Sequence, residues 1–304
     1  MNLFLALSPK LSRIEPPETP ERLAPFEDVA IPRRHGRGVL AATWFPAPDR
    51  PRGAVLLLHP WLVWGKSYFH LRGRIEALRA AGYHVLTLDF PGFGGSGAPH
   101  GFFDRDVEAG LEILHQRAGE LPRHVWGVSG GGYWAHPLLG RTDLVTGAMF
   151  EDAAPHLLEW SWRVAPLGRP FYLFFRSFLR PCYRYLDARR HAGSMSLGAV
   201  AYVSGERDRG VRPEDTRTLA GLAGAEHRIV PGADHLGSIK IAGEEVIALA
   251  LETFRRAEER RPAVRRGPRG LPGSGAPDRS VPSSGPSSHS AALPLGGGRW
   301  RDGP

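Results

Sequence analysis

The sequence predicts an α/β protein with a mostly parallel, doubly wound sheet of about eight strands, helices on both faces and a helical cap insertion. Short apolar runs bounded by turn residues alternate with segments whose apolar residues recur at helical spacing. Several runs are apolar throughout, which is typical of strands buried on both faces of a parallel sheet. A segment rich in aromatic residues and arginine, 153–197, interrupts this alternation and is predicted to be the cap.

Eight runs are predicted to be strands, with helices between most of them. The strands are 26–31, 39–45, 53–59, 84–88, 124–128, 144–150, 199–204 and 226–230. The helices are a stretch that ends near residue 81, then 103–117, 130–139, 213–222 and 239–256. Leu71, Ile75 and Leu78 give the first helix its periodicity, and Pro137 should kink or end the third.

The predicted domain organisation follows from these elements and from shifts in composition. Residues 1–25 form an extended lead-in, 26–152 and 198–260 form the two parts of the core, and 153–197 form the cap. Residues 261–304 are predicted to be a disordered basic tail. A segment rich in Gly, Pro, Ser and Arg cannot bury enough apolar surface to offset the entropy cost of ordering.

The excess of basic residues does not by itself indicate a nucleic-acid partner, and none is predicted. The net charge is +8, but from Pro262 onward six Arg and two Asp contribute +4, which leaves an ordinary +4 for the body. The single cysteine, Cys182, excludes an internal disulfide. The first residues lack the features of a signal peptide, and no run approaches membrane-spanning length, so a cytoplasmic location is expected.

A candidate nucleophile follows the fifth predicted strand. Gly127, Ser129 and Gly131 have the order G-x-S-x-G, in which small residues on both sides allow a serine to occupy a strained strand-to-helix turn. The N–H of Gly130 at the start of the next helix would point to the place where an oxyanion forms. The competing interpretation is a glycine-rich turn in which serine is simply a small residue.

Candidate partners for Ser129 also follow predicted strand ends. His235 comes after the last strand and is predicted to be the base, since an imidazole can take the serine proton and return it. Asp208 follows the preceding strand and is predicted to orient His235, with Asp152 as the alternative acid. Because ligands of parallel sheets bind beyond the carboxyl ends of the strands, we expect these side chains to lie close together.

These features resemble the α/β-hydrolase superfamily, in its serine esterase and lipase-like branch. The resemblance covers residues 26–258 and rests on the order Ser129, Asp208, His235 and on the loop D-F-P-G-F-G-G-S-G at 89–97. It implies a serine hydrolase that acts through an acyl-enzyme. The dehalogenase and epoxide-hydrolase branches have an aspartate where this chain has Ser129.

The resemblance also implies a second oxyanion donor, the N–H of Trp61, in the loop after His59. Here the sequence departs from the family, because Pro60 stands where the family has glycine. Proline has no N–H and fixes its own φ, so the backbone of this loop is restricted in a way that glycine would not impose. His59 is expected to steady the loop.

The aromatic residues of the cap allow two interpretations. They can form an apolar lid that also contacts a membrane surface, or a small helical cap whose aromatic side chains pack inward; packing is expected for most of them. Either interpretation favours a hydrophobic small-molecule substrate. No metal or cofactor is predicted, because no Cys or His cluster has ligand spacing and no Lys-Ser/Thr follows the glycines at 94–97.

The sequence thus predicts a serine hydrolase that cleaves an ester-like bond. Two alternatives remain open from the residues alone. The same triad could serve a C–C bond hydrolase or an acyltransferase, or the fold could be retained in a catalytically weak binding protein.

Overall fold

A single sheet of eight strands organises the chain. The computed structural model describes residues 25–34, 38–61, 64–97, 103–164 and 169–260; the predicted tail and all but the last residue of the predicted lead-in lie outside these ranges. The strand order is β1-β2-β4-β3-β5-β6-β7-β8. The strands are β1 Glu27–Pro32, β2 Val39–Phe45, β3 Gly53–Leu58, β4 Tyr83–Leu88, β5 Arg123–Val128, β6 Gly147–Glu151, β7 Ala199–Gly205 and β8 Glu226–Val230.

The sheet is mixed but mostly parallel, as predicted. Strand β2 pairs in antiparallel fashion with both β1 and β4, whereas all pairs from β4 through β3 to β8 are parallel. The carboxyl ends of β3 to β8 therefore share one edge of the sheet. The predicted site residues all follow strands that end at this edge.

Helices cover both faces of the sheet, because successive residues of its buried strands contribute to two separate cores. Leu56 and Leu58 of β3 belong to one core, and Val55 and Leu57 belong to the other. The helices are α1 Arg74–Ala80, α2 Asp104–Ala118, α3 Gly130–Leu139, α4 Leu157–Val164, α5 Arg169–Phe178, α6 Arg180–Tyr185, α7 Arg189–Ala192, α8 Pro213–Ala223, α9 Ser238–Ile241 and α10 Gly243–Glu259.

Three predicted elements differ from the structure by more than a one-residue shift at an end. The first predicted helix is a 3-10 segment, Gly65–Gly73, followed by α1, because Arg72 and Gly73 both have φ of +69° and break the helix. Leu71 therefore lies outside the periodic face on which the sequence placed it. Strand β6 begins at Gly147 instead of 144, and the last predicted helix is divided into α9 and α10 at Ala242, which has φ −129°.

A buried ion pair lies beneath the shared edge. Arg74 donates to both carboxylate oxygens of Glu151, at 2.8 Å from Nη2 to Oε2 and 3.2 Å from Nε to Oε1. Trp126 Nε1 donates to the same carboxylate at 2.6 Å. Both charged side chains are almost wholly excluded from solvent. Because a buried charge is costly without its partner, this pair constrains the end of β6.

Arg74→Met should strongly destabilise the protein, because it leaves the Glu151 carboxylate buried without its counter-charge. We expect a loss of about 3–5 kcal/mol in the free energy of unfolding, measured by urea denaturation. Arg74→Met combined with Glu151→Gln should recover part of this loss, since a neutral amide still accepts from Trp126. Equal stability of the single and double variants would show that the charge is not the cause.

Candidate active site

Ser129 occupies a strained turn between β5 and α3. Its backbone has φ +48° and ψ −113°, which is unusual for a residue with a side chain. Its N–H donates to the Glu151 carbonyl at 2.7 Å, and its own carbonyl accepts from the Tyr133 N–H at 2.9 Å. The turn is therefore fixed on one side to β6 and on the other to the helix that follows.

The two flanking glycines are required by close contact between backbone segments. A Cβ atom on Gly127 would lie 2.5 Å from the Cα of Gly132, and one on Gly131 would lie 2.2 Å from the Leu58 carbonyl oxygen. Neither position has room for a side chain. The G-x-S-x-G spacing thus has the steric basis that the sequence suggested.

The structure places Ser129, His235 and Asp208 in one hydrogen-bonded chain. Ser129 Oγ lies 3.0 Å from His235 Nε2, and His235 Nδ1 lies 2.6 Å from Asp208 Oδ2. The other carboxylate oxygen of Asp208 accepts the N–H groups of Gly210 and Val211, each at 2.8 Å. Asp208 is therefore held in one orientation by its own loop, and it presents a single oxygen to the imidazole.

The surroundings of His235 favour its protonated form. Burial lowers the pKa of this histidine, but the hydrogen bond and charge of Asp208, with the charges of Asp152 and Asp234, outweigh burial and raise the pKa above 6.5. An imidazole of this kind is a stronger proton acceptor than a free histidine. This property suits a group that takes a proton from a hydroxyl.

Asp152, the alternative acid, lies beside the triad but bonds to the backbone. Its two carboxylate oxygens accept the N–H groups of Gly205, at 3.1 Å, and Leu236, at 2.9 Å. Burial, reinforced by the charge of Asp208, raises the pKa of Asp152 to about 7, against the lowering influence of His235 and the Leu236 N–H. Asp152 thus connects the end of β7 to the residue after His235, and Asp208 occupies the position next to the imidazole.

Gly130 and Trp61, whose N–H groups are the two predicted oxyanion donors, are in close contact. A Cβ atom on Gly130 would be 3.1 Å from the backbone nitrogen of Trp61 and 2.9 Å from its Cβ. Within the described part of the chain, neither N–H donates to another protein group. Gly130 begins α3, where the first N–H groups of a helix have no intrahelical acceptor. Both donors are therefore available beside Ser129.

His59 holds the Trp61 loop in place despite Pro60. The imidazole is fully buried, with Nδ1 at 2.8 Å from the Pro60 carbonyl and Nε2 at 3.0 Å from the Phe90 nitrogen. Burial lowers its pKa, so the ring is neutral, donating through Nδ1 and accepting the Phe90 N–H through Nε2. This ring joins the loops that follow β3 and β4.

Asp89 is a structural residue that the sequence analysis did not single out. It accepts the N–H of Lys66 at 2.6 Å and that of Gly95 at 3.1 Å, and its carbonyl accepts from the Ser96 hydroxyl at 2.7 Å. A Cβ atom on Gly94 would lie 2.2 Å from its carboxylate. The glycines of the 89–97 loop thus allow the chain to close around this side chain, which accounts for the motif without a ligand.

Asp152, Asp208 and His235 are also the one group in the described ranges whose potential ligand atoms, one from each residue, all lie within 4.8 Å of one another. These atoms are already engaged. Both carboxylates accept backbone N–H groups, and the imidazole lies between Asp208 and Ser129. The cluster therefore fits a proton relay better than an open set of metal ligands.

Solved structures of hydrolases share this architecture. The esterase Pf2001 of Pyrococcus furiosus matches with a TM-score of 0.65 and 21% sequence identity, over 80% of this chain and 96% of that one. The chain has the α/β-hydrolase fold. The predicted fold class is thereby confirmed, and the predicted resemblance is confirmed at the level of the fold.

Two further solved structures match at lower identity. GrgF, an α/β hydrolase from Penicillium sp. sh18, has a TM-score of 0.61 at 16% identity, covering 77% of this chain and 99% of its own. Est1E of Butyrivibrio proteoclasticus, solved with ferulic acid, also reaches 0.61 at 15% identity, covering 75% and 99%. No protein-family model matches the sequence, and no curated protein is similar to it in sequence. The similarity therefore concerns the fold.

Asp152→Asn should destabilise the protein by about 1–3 kcal/mol, because an amide can accept only one of the two backbone N–H groups and turns an NH₂ toward the other. The loss should depend on pH. The native state holds the Asp152 proton between its ordinary pKa of 3.8 and about 7, so the stability that this group contributes falls as pH rises through that window.

Urea denaturation of both proteins from pH 4 to 8 tests this expectation. The stability difference between wild type and Asp152→Asn should be largest near pH 4 and should narrow up to about pH 7. Asp49→Asn, an exposed aspartate, provides the control and should show no such trend. A constant difference across the range would contradict the buried, proton-binding carboxyl.

Proposed function

We propose that this protein is a serine hydrolase that cleaves an ester-like bond of a hydrophobic small molecule through an acyl-enzyme. One observation carries the proposal. An unbroken hydrogen-bonded chain runs from Ser129 through His235 to Asp208, next to the N–H groups of Gly130 and Trp61, which donate to no acceptor among the described residues. The esterases among the structural matches have the same fold and support this class of activity.

In the first half of the proposed reaction, Ser129 Oγ attacks the carbonyl carbon of the ester. His235 Nε2 takes the hydroxyl proton, and Asp208 stabilises the imidazolium that results. The carbonyl oxygen becomes an oxyanion, which accepts hydrogen bonds from the N–H groups of Gly130 and Trp61. Collapse of this intermediate breaks the bond to the leaving alcohol, which takes the proton from His235.

In the second half, the acyl group on Ser129 is transferred to water. His235 takes a proton from the water as it attacks, the oxyanion forms again at the same donors, and Ser129 Oγ leaves with the proton. The acyl group is released as a carboxylic acid. These steps use only side chains and backbone groups of this chain, so the proposal includes no metal or cofactor.

Aromatic side chains beside the site support a hydrophobic substrate. The Trp61 ring stacks on Phe103 at a centroid distance of 5.1 Å and meets the edge of Phe93 at 5.4 Å. Trp61 is only partly buried, so its ring remains available to a ligand near the oxyanion donors.

Within the described residues, no helix has the length and apolar content to cross a bilayer. A cytoplasmic location remains part of this proposal.

Ser129→Ala should abolish labelling by a fluorophosphonate probe and reduce hydrolysis of p-nitrophenyl esters by about 10⁴–10⁶-fold. Ser194→Ala, which changes an exposed serine, should be labelled by the probe as wild type is.

Asp208→Asn should reduce turnover of the same esters by about 10⁴-fold, and Asp152→Asn should reduce it by much less. An ester series of increasing chain length sizes the acyl pocket, and added alcohols detect acyl transfer. Failure of the folded wild-type protein to react with the probe would overturn the proposal.

The pH dependence of kcat/KM should report the raised pKa of His235, because only the neutral imidazole can accept the serine proton. We expect activity to rise with pH and to reach half its limit above pH 6.5. In Asp152→Asn the midpoint should move slightly to lower pH, because the fraction of Asp152 that is ionised near its pKa of about 7 favours the imidazolium and is removed. An unchanged midpoint in this variant would show that Asp152 does not act on the base.

A further inference from the structure

The outer surface of the cap exposes large apolar side chains. Leu173, Phe174 and Phe178 of α5 are 48%, 50% and 76% exposed, and Leu179, which follows them, is 37% exposed. The rings of Phe174 and Phe178 lie 5.5 Å apart. These four residues lie between positions 173 and 179, and we call them the cap patch. Exposure of this kind is unusual on a surface that contacts only water.

The cap patch is distinct from the packed side of the same helix. Phe175 is buried, and the ring of Tyr172 contacts Tyr183 of α6 and Trp162 of α4, although Trp162 is itself 37% exposed. Inward packing, expected for most of the cap aromatics, describes Phe175 and Tyr172, whereas Phe174 and Phe178 are exposed. Helix α5 has one side that holds the cap together and another that presents apolar groups outward.

The charged side chains of α5 and α6, which carry or flank the cap patch, all have one sign. From residue 169 to 186 the sequence has four arginines and no acidic residue, and each arginine is exposed: Arg169, Arg176, Arg180 and Arg184. Arg176 donates to the Tyr172 hydroxyl at 2.9 Å. In the described part of the chain, no carboxylate pairs with any of the four. The charge of this segment is therefore uncompensated.

The cap is fastened to the body at several points, so its patch is held in place. The Tyr133 hydroxyl donates to the Leu186 carbonyl at 2.6 Å, and Arg163 of α4 forms an ion pair with Asp215 of α8. A bridge joins His156 to Asp187 where the chain enters and leaves the cap. The apolar groups are thus presented by a structured helix.

We infer that the cap patch binds the surface of an anionic phospholipid membrane. Phe174 and Phe178 would enter the boundary between headgroups and acyl chains, and the four arginines would bind lipid phosphates around them. This combination of exposed aromatic groups with unpaired cations is typical of helices that lie in a membrane interface. The inference does not depend on the proposed hydrolase activity.

A second copy of the chain is a poorer occupant of this surface. In a two-fold dimer the same patch contributes to both sides, so the four arginines of residues 169–186 in one copy would face those of the other, and this segment contains no acidic residue. Burial of these charges would oppose association. An anionic lipid surface supplies both the negative charge and the apolar layer.

Vesicle co-sedimentation of the full chain tests the inference. Wild type should bind vesicles of equal parts phosphatidylglycerol and phosphatidylcholine, and should bind pure phosphatidylcholine at least tenfold less. Phe174→Ser combined with Phe178→Ser should reduce binding to the anionic vesicles at least tenfold. The matched control is Leu222→Ser with Ile241→Ser, two apolar residues that are 48% and 59% exposed elsewhere, and it should bind like wild type.

The contribution of the cap arginines is tested in the same vesicle assay. Arg180→Gln with Arg184→Gln should weaken binding, whereas Arg50→Gln with Arg217→Gln, an exposed pair outside the cap, should weaken it far less. Ser129→Ala should bind like wild type, so a failure of the hydrolase proposal leaves this result untouched. Urea denaturation verifies that each variant is folded.

Three results would overturn the inference. Wild type could fail to bind anionic vesicles. The phenylalanine variant could bind as well as wild type, which would assign binding to other basic segments such as residues 261–304, present in every variant. Wild type could also be a dimer that the phenylalanine variant converts to a monomer without any vesicle binding, which would assign the patch to self-association.

Discussion

The candidate active site depends on the close approach of backbone segments around Ser129. The nucleophile turn is possible only because Gly127 and Gly131 lack side chains where the chain meets Gly132 and Leu58. The N–H of Ser129 bonds to the Glu151 carbonyl, and the side chain of Glu151 is fixed by the buried Arg74. Strain at one residue is thus supported by three strands and by an ion pair beneath them.

The loops around the candidate site are joined by buried polar groups as well as by apolar packing. Asp152 connects the end of β7 to the loop of His235, and His59 connects the Trp61 loop to the chain after β4. Each makes directional bonds to backbone groups that would otherwise be unsatisfied. The distances within the site therefore follow from a small number of side chains that do not themselves face the substrate.

Much of the sheet was predictable because most of its central strands are continuous apolar runs, and because even a polar strand such as β8 is bounded by turn residues, Gly224 and Pro231. Strands β2 and β8 begin and end where the sequence placed them, and the nucleophile turn follows β5 as its motif indicates. The break at Arg72 was not predictable, because its neighbours Leu71, Ile75 and Leu78 keep a helical spacing across it. A positive φ at an arginine depends on tertiary contacts, which the pattern of apolar residues does not record.

The candidate active site, like the fold, was predictable in part. The spacing of Ser129, Asp208 and His235 after strand ends was sufficient to propose the triad, since parallel strands bring such residues to one edge. The environment of Asp152 was not readable, because its burial and its bonds to Gly205 and Leu236 depend on three loops that are distant in sequence. The sequence was sufficient to prefer Asp208 over Asp152 as the acid. The structural role of Asp152, which joins two loops, could be seen only in the structure.

The cap leaves and rejoins the body at nearly the same point. The Ala188 N–H donates to the Pro155 carbonyl at 2.8 Å, next to the bridge between His156 and Asp187. The polypeptide between these residues therefore forms a closed excursion whose ends are already joined. Such an excursion can grow, shrink or be exchanged for a short turn without moving β6 or β7. The cap, which carries the exposed patch, is thus topologically independent of the sheet that holds Ser129. The sequence of the cap can therefore change in evolution without a matching change in the sheet.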